Sequence, residues 1–149
     1  MATPKRKLAK PQLPMQRQFA FAEQGEFYNL RAIFNKLNAK YFRNKLKGYS
    51  VVWGQRRKQR PRGSIVFGTI HEEDKIIRIH PLLDRAMVPT WFMEYVMYHE
   101  MLHAMVPDRY DGSGRRVIHH DGFAEKEREF HWFRRAKAWE QENLARFLR

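Results

Sequence analysis

The chain of 149 residues contains no cysteine. That absence excludes disulfides, thiolate-bound zinc, a thiol nucleophile and a dithiol redox motif. Any metal site must therefore be built from histidine and carboxylate side chains. Long apolar runs are missing too: none approaches the ~18 residues of a membrane-spanning helix, so no membrane partner is expected. Acid is scarce, with 16 Asp and Glu against 29 Lys and Arg, for a net charge of +13. Such a field attracts polyanions without choosing among nucleic acid, acidic protein and anionic lipid. Met1 to Gln18 carries no acid at all and lacks the apolar core of a secretory signal. Pro4, Pro11 and Pro14 interrupt any amphipathic helix in it. Residues 1–20 thus read as a solvated basic tail and residues 21–149 as one domain of a cytoplasmic protein. Nothing in the sequence demands a dimer, and a monomer is expected.

What is present is enough apolar and aromatic residue, 43% and 14%, to fill one core. Phe27, Leu30, Phe34, Leu37 and Tyr41 recur at helical spacing, and Gly48 is placed to end that helix. Three β-prone runs follow, Tyr49 to Trp53, Ser64 to Ile70 and Lys75 to His80. The last two flank a polar connector suited to a hairpin. Pro89 and Thr90 open a helix to about Met105. A Pro/Asp/Gly/Ser-rich loop leads to a long helical pattern from Asp121, broken near Phe130. The order predicts an α+β domain: an N-terminal helix, a small antiparallel three-stranded sheet, a buried helix and C-terminal helices.

The buried helix carries the chemistry. From Trp91 to Val106 nearly every residue is apolar, except Glu94, His99, Glu100 and His103. Polar groups in such a setting cost free energy unless partnered. His99 and His103 lie one turn apart on one face, so both imidazoles can meet a single Zn²⁺. Glu100, beside the first His, can then reach a water at the open metal position. His-Glu-x-x-His arises by accident in roughly 2% of chains of this composition, and an accidental match falls mostly on solvated helices. Glu94 reads differently, as a first-turn carboxylate favoured by the helix dipole.

A catalytic zinc takes three protein ligands. Val106 and Arg109 stand where a metzincin needs Gly and His, and no Met follows Met105, so that class is excluded. His119, His120, Asp121, Glu125, Glu127 and Glu129 remain as the third donor. An expected N-cap at Asp121 would hold His119 on a short fixed element able to reach the buried helix. Tyr98, Arg115 and Arg116 are candidates to stabilise an oxyanion.

Val96 to Ala104, followed by His119-His120-Asp121-Gly122-Phe123, resembles the SprT-like zinc metalloproteases, in which a downstream His has an aromatic residue four positions on. Leu37 to Phe42 and Ile77 to Leu82 also resemble that family, so the likeness spans roughly residues 25 to 140. It implies a single zincin-like metalloprotease domain acting on protein substrates. It implies Zn²⁺ on His99, His103 and His119, with Glu100 as general base. The position after His119, where the family usually has Gly, is His120, which keeps His120 as the rival ligand. The family's Cys-rich zinc ribbon is absent from a chain without cysteine.

Arg56, Arg57, Lys58, Arg60 and Arg62 form a basic loop dense enough to follow a phosphate backbone. The resemblance adds a link to proteins crosslinked to DNA. A solvated hairpin loop on a basic protein is the competing reading. An extended substrate is expected to add to the sheet edge, at Lys75 to His80, by strand pairing.

Overall fold

In the computed structural model, which describes residues 23–149, Asn29 begins the first long helix. Its side chain accepts from the Ala32 N–H at 2.9 Å, satisfying one orphan donor of helix α1 (Leu30–Tyr41). Leu30, Ile33, Phe34 and Leu37 form the buried face. Phe27, expected on that face, precedes the cap and is exposed. The helix ends before Gly48: Arg43 and Asn44 take the left-handed conformation (φ 51° and 57°) and reverse the chain. The buried Asn38 fastens this turn by bonding both backbone groups of Leu46. The expected basic tail, residues 1–20, lies outside the described residues.

Three strands follow: β1 (Ser50–Trp53), β2 (Gly68–His71) and β3 (Ile76–Ile79). Their order is β1-β3-β2, with β1 parallel to β3 and β2 antiparallel to it. The sheet is therefore mixed, not antiparallel. The long basic loop after β1 lets the chain cross and place β2 on the far side of β3, whereas β2 and β3 share a tight turn at which Lys75 has positive φ. Ser64 to Phe67, expected as strand, is irregular.

Because β3 is the central strand, it has partners on both sides and cannot accept a substrate strand. The open edge near the buried helix belongs to β2. His80 N–H donates to the Phe67 carbonyl at 2.7 Å. By antiparallel alternation, the backbone groups of Thr69 and His71 then face β3, and those of Gly68 and Ile70 face outward.

A 3₁₀ turn (Pro81–Leu83) leads to helix α2 (Thr90–Met105), whose Phe92, Met93, Met97 and Met101 are almost wholly buried. The methionines fill the core, with Met105 alone among them partly exposed. Glu94 is not a first-turn carboxylate. It is buried and bonded to Lys36 Nζ of α1 at 2.6 Å. Downstream lie a two-rung hairpin, β4 (Arg109–Tyr110) with β5 (Arg116–Val117), and then α3 (Asp121–Glu127) and α4 (Phe133–Asn143). The break expected near Phe130 falls between these two helices. A final 3₁₀ turn (Leu144–Phe147) buries Phe147 against Phe67 and Trp139.

Candidate metal centre

One turn of α2 brings His99 and His103 side by side, and the loop after β5 returns His119 to them. His103 Nε2 lies 3.3 Å from His99 Nε2 and 3.1 Å from His119 Nε2. Donor atoms of all three residues fall within 4.8 Å of one another. A tetrahedral ion held ~2.0–2.1 Å from each nitrogen spaces its donors roughly 3.3–3.4 Å apart, so the cluster is close enough to hold a metal ion.

His119 gets there through its neighbours. Asp111 accepts from the N–H groups of Ser113 and Arg115 and shapes the hairpin turn, and Gly114 supplies the positive φ of 81° that the turn needs. The N-cap of α3 is His120, not Asp121. His120 Nδ1 accepts from Phe123 N–H at 3.3 Å, while its Nε2–H donates to the Pro107 carbonyl at 2.9 Å. Both ring nitrogens are thus committed, and the side chain is buried. His120 is a clasp across the two ends of the loop that carries His119. Among the remaining sequence candidates, Asp121, Glu125 and Glu129 stand outside the cluster.

Phe123 explains the four-residue spacing. Its ring is 4.4 Å from that of His103, nearly parallel, and 5.1 Å and 5.0 Å from those of His99 and His119. One buried aromatic side chain touches all three imidazoles.

Glu127 is the residue whose part sequence reading did not identify. Its carboxylate accepts from His99 Nδ1–H, which leaves the lone pair on Nε2 facing the other two histidines. Burial opposes the Glu127 charge, but the His99 hydrogen bond and the nearby positive charges outweigh it and hold its pKa below the usual value. Burial, and then the charges of His99 and His119, push His103 down to about 4. Burial and His99 also lower His119. His103 and His119 are thereby biased to the neutral state a metal requires.

Glu100 is buried beside the triad and has no hydrogen-bond partner among the described residues. Burial raises its pKa to about 7, with Glu127 adding to the rise and His99 opposing it. β2 passes directly over this carboxylate: a Cβ on Gly68 would stand 2.9 Å from Glu100 Cγ. The triad, Glu100 and the open edge of β2 line one cavity of about 1000 Å³. Arg116 lines it too, paired with Asp108 (Nε to Oδ2 2.6 Å). Tyr98 donates instead to the Lys126 carbonyl and does not line the cavity.

The basic loop is not loose. Arg60 donates to the Arg146 carbonyl, Arg149 N–H donates to Pro61, and Arg56 lies 3.6 Å from the Asp84 carboxylate. Arg56, Arg57, Lys58 and Arg60, joined by Arg78, line a second cavity of about 740 Å³ whose lining contains no acid. Arg62 is exposed and does not line it. His80 caps the 3₁₀ turn through Leu82 N–H, and His71 pairs with Asp74. Neither belongs to the cluster, although His71 lines the same cavity as the triad. No helix among the described residues is long and apolar enough to cross a membrane.

No protein-family model, curated protein or solved structure matches the chain.

Proposed function

We propose that the chain is a zinc-dependent peptidase of the SprT-like kind. The observation that carries the reading is the placement of an unpartnered, buried Glu100 beside three converging imidazoles, in a cavity bordered by an open strand edge. A purely structural ion has no use for that carboxylate, which is costly to bury. The donor set, three imidazoles without a thiolate, fits zinc. When bound, zinc supplies Lewis acidity at neutral pH. Gly68 and Ile70 offer outward N–H and C=O groups to an extended polypeptide, so strand pairing on β2 lays a substrate amide across the triad. Glu100 takes a proton from the attacking water and delivers it to the departing amine.

The acid-free cavity around Arg56, Arg57, Lys58, Arg60 and Arg78 favours a second element, association with nucleic acid through its phosphates. It shares Val66, Gly68 and Thr69 with the metal cleft, so protein substrates attached to DNA suit the arrangement.

The test uses wild type and Glu100→Gln. Zinc content is measured, and cleavage of casein and of a DNA-binding protein is followed with and without DNA. The reading requires zinc in both proteins and cleavage by wild type only. A wild type that takes up no zinc rules it out. Cleavage indifferent to DNA keeps the peptidase and removes the nucleic-acid element.

A further inference from the structure

Of the three imidazoles, only His99 has a carboxylate partner among the described residues. That partner, Glu127, is the last residue of α3, and His119 precedes the same helix by two positions. One seven-residue helix therefore delivers one donor of the triad and orients another. The helix is fixed at its start by the His120 clasp and along its length by Phe123, buried beneath all three rings. Tyr95, one turn before His99 on α2, lines the same cavity as Glu127. The Glu127 side chain is largely buried, so its charge stands only because such partners surround it.

We infer that Glu127 is the positioning residue of this centre: by accepting His99 Nδ1–H it fixes the ring and its tautomer, and so sets the affinity of the triad for a divalent metal. The inference rests on reading the triad as a metal site. A neutral imidazole without such a partner divides its proton between two nitrogens and turns about its side-chain bonds. With Nδ1–H committed to a carboxylate, Nε2 always presents its lone pair, and the negative charge behind the ring makes that nitrogen more basic. Among the described residues His103 and His119 have no equivalent carboxylate partner, so His99 acts as the fixed donor to which the others adjust.

The experiment compares metal-free wild type, Glu127→Gln and Glu127→Ala, titrated with Zn²⁺ against a chromophoric chelator after circular dichroism has established that each is folded. Glu127→Gln keeps an acceptor oxygen for His99 and loses the charge; Glu127→Ala loses both. The expected result is zinc affinity about 10–100-fold weaker in Glu127→Ala, with Glu127→Gln in between. Nitrogen NMR of the histidine rings adds a readout that a role in stability alone would not move: His99 is a single Nδ1–H tautomer in metal-free wild type and a mixture in Glu127→Ala. Folded variants with wild-type affinity and an unchanged His99 tautomer overturn the inference and leave the metal site standing. A wild type that binds no zinc overturns the metal site itself, and the inference falls with it. Should Glu127→Ala fail to fold, Glu127→Gln alone decides.

Discussion

Gly68 and Glu100 compete for one small volume. A methyl group on Gly68 would meet Glu100 Cγ at 2.9 Å and Oε1 at 3.1 Å, so the edge strand can run over the carboxylate only where it carries no side chain. Gly68→Ala must push the carboxylate aside without touching the three histidines. Zinc content should stay at the wild-type level while kcat/KM for peptide cleavage falls at least about tenfold, as misplacement of a reacting group implies. Steady-state kinetics alongside metal analysis check this; full activity in Gly68→Ala would show that Glu100 does not work from its present place.

The buried Glu100 also makes a prediction for the metal-free protein. Its folded pKa of about 7 lies above the ordinary 4.5. Between those values the folded chain holds a proton that the unfolded chain has released. The contribution to stability is whole below pH 4.5 and is lost as pH rises through 7. Glu100→Gln never ionises. It should therefore be more stable than wild type at pH 8 by about 3 kcal/mol, and nearly equal to it at pH 4.5. Urea unfolding in the presence of a chelator at the two pH values measures the difference, and a gap that does not change with pH contradicts it.

Adjacent histidines should behave in opposite ways. His119→Ala removes a donor and should abolish tight zinc binding with little loss of fold. His120→Ala opens the clasp between Pro107 and Phe123, costing about 1–2 kcal/mol of stability, while the protein still binds zinc. Metal titration and thermal melting of the two variants separate them; zinc lost only from His120→Ala would reverse the assignment.

Lys36 and Glu94 give a test away from the site. Glu94 is buried and its charge is met by Lys36 across the α1–α2 contact. Lys36→Met leaves the carboxylate without its partner and should destabilise the protein by about 1–2 kcal/mol, less than a fully buried pair because Lys36 is solvent-exposed. Replacing Glu94 by Met in the same chain should restore most of that loss. Denaturation midpoints of the single and double variants form the cycle.

The nearness of His99 and His103 could be read from the chain because a helix imposes its own geometry: residues four apart must share a face, and an apolar setting makes polar residues there costly. His119 was singled out, with His120 as its rival, by a resemblance in its four-residue spacing to Phe123, and that spacing now has a packing reason in the contact of Phe123 with all three imidazoles. Glu127 was not, because its meeting with His99 depends on how α3 packs against α2, which no local pattern encodes. The same holds for the sheet. Strand-forming runs are local, but whether β1 pairs with β2 or crosses to β3 is decided by a long loop and the contacts at its ends. His120 was misplaced because Asp121 is the better cap by intrinsic preference, while the Pro107 carbonyl, thirteen residues away, recruits His120.

Phe123 gives the triad an apolar backing. With its ring lying flat beneath His103 and against the other two imidazoles, the floor of the centre is hydrocarbon. The same ring borders the cavity that holds the triad, so whatever enters meets hydrocarbon at Phe123 and ionisable side chains at Glu100, Asp108 and Arg116.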